Sequence, residues 1–371
     1  MTTATSTKLA DGRELIYFDD GAAKDHSAAD TRPLEPRSVA DTGQIRFDAL
    51  TGDWVAVAAH RQSRTYLPPA DQCPLCPTTG GNLSEIPGAD YDVAVFENRF
   101  PSLGPATGPA PEHPVWGTHG TAFGRCEVVA FESEHTGSFA TLSDQRARTV
   151  IDAWAHRTEA LSAIEGIKQV FPFENRGQEI GVTLHHPHGQ IYAYPYITPR
   201  AMVMAQAART FYDGADGTAT LAGSILDAER SSGDRMILEG ENFSAYVPFA
   251  AHMPLEIHLT PHRHVADIAA LTGEERDELA TMYLDLLRRL DNLYDTPTPY
   301  IAAWHQAPVD AFYRPAGRLH LQLTSPRRAA DKLKFLAGSE AAMGAFINDT
   351  TPEQTAAVLR RTSAAQKVLT A

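Results

Sequence analysis

The sequence predicts an α+β fold built from two copies of a strand–helix–strand unit, with a mainly antiparallel sheet. Three observations carry that expectation. The stretch from Glu127-Val128-Val129 through His135 to Leu142-Ser143 recurs as Glu256-Ile257-His258, His264 and Leu271-Thr272, all at one offset of 129 residues without a gap. Each copy then opens a helix, and Ser143 and Thr272 are good N-caps, the latter forming a capping box with Glu275. Each helix is followed by histidine-bearing, β-branched and aromatic sequence, at 181–194 in the first half and at 300–305 with 318–324 in the second.

Taken in order, residues 1–40 are polar and rich in Asp, Ala and Thr, and read as a loosely ordered extension. The two halves are expected at 41–200 and 201–371. Ile45-Arg46-Phe47-Asp48 and Asp53-Trp54-Val55-Ala56-Val57 read as strands around the Leu50-Thr51-Gly52 turn. Residues 67–90 and 101–120 carry much of the Pro and Gly and read as loops. The first helix presents Val150, Ile151, Trp154 and Leu161 on one stripe; the second presents Leu279, Met282, Tyr283, Leu286, Leu290 and Leu293.

Composition narrows the function classes. A chain of 371 residues with 43% hydrophobic and 21% charged content suits a soluble globular protein of two domains. A formal charge of −14 opposes broad nucleic-acid binding, which needs a basic footprint, yet leaves room for a local phosphate site. No apolar run nears the roughly 20 residues that span a bilayer. Three cysteines and a polar N-terminus without a secretion-type apolar core point to the cytoplasm.

Chemistry concentrates at His186-Pro187-His188-Gly189-Gln190. On a strand, alternate residues share a face, so His186, His188 and Gln190 are expected to point the same way. Pro187 removes a ladder donor and Gly189 a side chain, which places the strand at an edge or bulge and lets an anionic group approach the backbone. A neutral imidazole attacks phosphorus when its other nitrogen is tied as N–H to a backbone carbonyl, and a neighbouring amide can steady the phosphoryl oxygens. Histidines on strands also pack or ligate metals. Cys73-Pro74-Leu75-Cys76 supplies half of a tetrahedral zinc site, or else a redox pair, although no thioredoxin-like βαβ context surrounds it. Cys126 reads as a buried apolar residue.

The His186–Gln190 run, preceded by Phe173-Glu174-Asn175-Arg176-Gly177, resembles the active-site motif of the galactose-1-phosphate uridylyltransferase family, a branch of the histidine-triad superfamily. The resemblance spans about residues 45–365. It implies a tandem duplication of a histidine-triad-like unit and uridylyl transfer from UDP-glucose to galactose 1-phosphate through a covalent uridylyl-histidine. His188 would be the nucleophile, the carbonyl of His186 its orienter and Gln190 the charge stabiliser. Arg61, Arg64, Asn98, Asn175 and Thr183 match substrate-contacting positions, while Arg99 stands where many members have Asp. His135 and His186 would join Cys73 and Cys76 around a structural zinc. His305 and His320 match two ligands of a second metal, iron, found in some relatives; Gln322 replaces a third and the Glu is missing, so iron is not expected. Lys334 and Glu340 match the hexose-contacting segment, which in the family works across a homodimer. Two other readings stand beside this one. One is another nucleotidylyl transferase or phosphorylase of the superfamily, acting on a dinucleoside polyphosphate or ADP-sugar; the other is a silent zinc-stabilised binding module.

Overall fold

A single eleven-stranded sheet forms the spine of the chain in its computed structural model, which describes residues 2–36, 43–63, 66–105 and 117–366. Its strands are β1 (Thr3–Lys8), β2 (Glu14–Asp19), β5 (Val93–Glu97), β7 (Arg125–Ala130), β8 (Gln169–Arg176), β9 (His188–Tyr194), β10 (Met236–Glu239), β11 (Phe243–Tyr246), β12 (Leu255–Pro261), β13 (Tyr300–His305) and β14 (His320–Ser325). They run in the order β1-β2-β5-β7-β9-β8-β13-β14-β12-β11-β10, with antiparallel neighbours throughout. β3 (Gln44–Asp48), β4 (Asp53–Val57) and β6 (His119–Thr121) make a small second sheet; β15 (Arg327–Ala329) and β16 (Lys332–Leu333) pair as a ribbon. The helices are α1 (Asp144–Ser162), α2 (Pro199–Gly214), α3 (Leu221–Ser232), α4 (Gly273–Asn292) and α5 (Pro352–Arg361).

About the β8–β13 seam, β8-β9-β7-β5-β2 mirrors β13-β14-β12-β11-β10 as a duplication requires, and β1 is an extra strand at one edge. α1 and α4 begin at Ser143 and Thr272, whose side chains accept from the backbone N–H of Arg146 and Glu275. The two helices lie on one face and bury Trp154, Tyr283 and Trp304 together with strand residues Val95, Val129, Ile191, Ile257 and Leu323. Each such side chain contributes roughly 1.5–3 kcal/mol by leaving water. At the seam, buried Glu174 accepts from Tyr283 Oη at 3.1 Å and Tyr300 Oη at 2.7 Å, both from the second half. Burial raises this carboxyl to about 7.

Three expectations need correction. Residues 2–36, the described part of the polar lead-in, are not loosely ordered: β2 is buried along nearly its whole length and pairs with β5, and β1 extends the sheet. Its charges are consumed internally, with buried Arg13 on Asp11 and Glu85, and His26 on Asp19. The strand carrying His188 is central rather than an edge, lying between β7 and β8, while Pro187 precedes it in the irregular stretch 181–187. Gly189 faces the core, where a Cβ would come within 2.9 Å of the Phe131 ring and 3.0 Å of the Phe173 carbonyl, so its missing side chain serves packing rather than ligand approach. Among the described residues no helix is long and apolar enough to cross a membrane.

Candidate active site and metal centre

On the face opposite α1 and α4, alternation along β9 turns His188 and Gln190 into a cavity of about 150 Å³. Phe96 of β5 and Val128 of β7 supply its apolar floor, because Phe96 pairs with Val128 and Val128 with Gln190. Leu75, from the loop carrying the two cysteines, closes one wall, and Phe100, Arg61, Asn98, Arg99 and Thr183 rim it. Arg61 is braced by Nη1 donating to the Phe100 carbonyl at 3.1 Å. Asn98 Oδ1 accepts from the backbone N–H of Phe100 at 2.8 Å. Glu85 also borders the cavity, but Arg13 and Arg32 neutralise it, so Arg61 and Arg99 leave the rim cationic.

His188 Nδ1 donates to the carbonyl of His186 at 2.8 Å, which leaves the lone pair on Nε2. Burial lowers the pKa of this ring and keeps it neutral. Neither His188 Nε2 nor the Gln190 amide has a hydrogen-bond partner among the described residues. The arrangement is a neutral, tautomer-fixed imidazole beside a free amide and a guanidinium. It suits attack on an anionic phosphorus centre.

The side chain of His186 points elsewhere, which corrects the expectation of three residues on one face. Lying before the strand begins, it escapes the alternation and reaches the cluster of Cys73, Cys76, His135 and His186, whose ligand atoms all lie within 4.8 Å of one another. His135 Nδ1 is 3.3 Å and His186 Nδ1 3.5 Å from Cys76 Sγ. His186 Nε2 lies 2.8 Å from the Glu132 carbonyl and 2.9 Å from Tyr91 Oη, so the proton sits there and Nδ1 is free to ligate. Burial, then the charge of Cys73, pushes the Cys76 thiol up to about 12, because two thiolates this close form readily only with a cation between them. The quartet can hold a metal ion.

Not every expected residue reaches the cavity. Asn175 lies two residues beyond the last β8–β9 pair, Phe173 with Gln190, pairs with Ile301 and does not line the cavity. Arg64 lies outside the described residues. Lys334 and Glu340 bind each other at 3.0 Å and line nothing around His188 within this chain. His305 stacks on His320 with ring centroids 5.1 Å apart, and Gln322 Oε1 accepts from Arg200 at 2.9 Å. Sequence reasoning missed the apolar slot of Leu75, Phe96 and Val128; alternate positions on two neighbouring strands were its signal.

Two like halves, one of them presenting a neutral imidazole to a cationic cavity, define an enzyme built on a tandemly duplicated α+β unit. Comparison narrows the class. Residues 33–198 match the profile of the galactose-1-phosphate uridyl transferase N-terminal domain, and residues 208–370 match that of its C-terminal domain. The chain belongs to this family. It is 48% identical over 332 residues to a galactose-1-phosphate uridylyltransferase of Streptomyces lividans, covering 87% of each chain. A Thermotoga maritima protein of the same description is 36% identical, covering 86% of this chain and 98% of its own. Among solved structures a uridylyltransferase superposes with TM-score 0.75 at 31% identity, over 85% of this chain and 97% of that one. An Arabidopsis thaliana ADP-glucose phosphorylase shares the fold at TM-score 0.64 and 22% identity.

Proposed function

We propose that the chain transfers a uridylyl group from UDP-glucose to galactose 1-phosphate in two steps through His188. In the first, His188 Nε2 bonds to the α-phosphorus while the bond from that phosphorus to the bridging oxygen breaks, releasing glucose 1-phosphate. In the second, a phosphate oxygen of galactose 1-phosphate attacks the same phosphorus, the P–N bond breaks and the imidazole is restored. The fixed tautomer of His188, opening onto a cavity it shares with Gln190 and Arg61, carries this reading. Gln190 and Arg61 would hold the charge that develops on the transferring group. Leu75, Phe96 and Val128 form a slot suited to the flat face of uracil.

The Cys73, Cys76, His135 and His186 quartet suits zinc, two thiolates and two imidazoles being a tetrahedral set. When bound, zinc would supply structure alone, tying the 73–76 loop to the residue whose carbonyl orients His188. We take 41–200 and 201–371 as the two halves. Lys334 and Glu340 would serve the cavity of a second copy in a homodimer: their segment exposes Phe335, Leu336, Met343 and Ile347, an apolar surface that a partner would cover.

Incubation with UDP-glucose and no acceptor tests the reaction. About one equivalent of glucose 1-phosphate per chain should appear, with an acid-labile uridylyl-protein. Equal labelling of His188→Ala overturns the nucleophile, and faster labelling from ADP-glucose than from UDP-glucose overturns the donor.

A further inference from the structure

The face that carries His188 continues across the seam, and the ladders align the two halves residue by residue. Val128 faces Gln190 as His258 faces Gln322, so Gln322 stands in the place of Gln190 and His320 in that of His188. Tyr246 then falls on Phe96, and Ala303 on Phe173. The backbone device is repeated, because His320 Nδ1 donates to the carbonyl of Arg318 at 3.1 Å. The second nitrogen is not free, however. Gln322 Nε2 donates to His320 Nε2 at 3.2 Å, so the lone pair a nucleophile would use is already engaged. The position is a wall, not a reacting centre.

Over it α2 and α3 roof a cavity of about 560 Å³, with apolar sides from Met204, Ala205, Ala208, Ile225 and Phe249. Arg318 stands at one end. Of the arginines buried among the described residues, Arg13, Arg32, Arg157 and Arg327 each sit on a carboxylate. Arg318 has none. Its Nη2 donates to the carbonyls of Pro261 and His262, and its buried Nε has no partner. Its Nη1 stands over the start of α3, 2.9 Å from where a Cβ on Gly223 would be. Leu221 and Ala222, whose first-turn amides have no intrahelical acceptor, line the same cavity. A guanidinium against a helix N-terminus sets two positive ends together in a desolvated place, which an anion between them would relieve. The nearby carboxylates do not fill that role. Asp227, farther along α3, borders a neighbouring cavity with Arg318 and acts on it by its charge but forms no ion pair with it, and Glu229 is held by Arg235. Glu256, held by the His252 amide and His258, lies five residues before Pro261 along β12, roughly 17 Å away.

We propose that this second-half cavity binds a small amphipathic organic anion without reacting with it. The acidic group sits between Arg318 and the N-terminus of α3, and the apolar body runs along Met204, Ile225 and Phe249. The experiment is fluorescence titration of the full-length chain with 1-anilinonaphthalene-8-sulfonate. Saturation at one site per chain is expected, with displacement by hexanoate or phenyl phosphate; whichever displaces at lower concentration shows whether a carboxylate or a phosphate ester is preferred. Arg318→Gln should weaken the dye tenfold or more, and Met204→Trp, which fills the cavity, should abolish binding while leaving uridylyl transfer unchanged. If Arg318→Gln does not fold, Met204→Trp and Ala208→Phe decide. Undiminished binding in the cavity-filling variants overturns the proposal. So does displacement by UDP-glucose, which would place the dye beside His188, and so does a requirement for added divalent metal.

Discussion

The two halves share a backbone plan but roof the same sheet face with different material. In the first, the face is closed by a loop that the Cys73–Cys76–His135–His186 quartet gathers, and the cavity stays small and cationic. In the second, α2 and α3 form the roof, and the cavity is larger and apolar. The imidazoles reflect the contrast. His188 has a free lone pair, whereas that of His320 is occupied by Gln322. The lesson is that duplication copies the orienting carbonyl readily, while reactivity rests on what is withheld from the second nitrogen.

The comparison breaks most sharply at the two imidazoles. His188→Ala should cost at least ~10³-fold in turnover, whereas His320→Ala should leave turnover within about twofold, because only polar wall is lost. A comparable collapse in both would mean that the second half takes part in the chemistry. Next in size, Cys73→Ser should release the metal found by elemental analysis and lower the melting temperature by several degrees. Retained metal with unchanged melting would discard that ligand set. Gln190→Ala should lower turnover about 10²-fold; its counterpart Gln322→Ala should not, and would sharpen the contrast by uncovering His320 Nε2. The smallest expected effect lies at the seam. Glu174 has its folded pKa raised to about 7 against an ordinary 4.5, so the native state binds the extra proton between those values and stability falls as pH rises through that window. Glu174→Gln should abolish a loss on the order of 3 kcal/mol, read as the difference between the two proteins' denaturation curves from pH 4.5 to 7.5. Parallel curves would show that the carboxyl is not protonated.

Much of this was legible in sequence because it is local. Caps at Ser143 and Thr272, the apolar stripes of α1 and α4, and the β3–β4 hairpin depend on neighbours a few residues away. The 129-residue repeat exposed the duplication and holds at the caps Ser143 and Thr272, but on the strands it slips by one residue, since the ladders set Val128 against His258 rather than Ile257. What escaped depends on distant partners. The order of β1 and β2 comes from pairing with β5, about eighty residues on, and from internal ion pairs that make a polar segment buryable. The direction of His186 follows from a cluster spanning 113 residues of chain, from Cys73 to His186, which alternation alone cannot foresee. Likewise the pairing of Lys334 with Glu340 at 3.0 Å within this chain could not be read from the segment that carries them.

The antiparallel pairing of β8 with β13 has one more consequence. Neither half is self-sufficient: a chain severed between them would present an unsatisfied strand border, with the Glu174 carboxyl stripped of both its phenol donors. Fragments made separately should therefore aggregate, while fragments made together should reassemble along that border, turning one polypeptide into a complementation pair.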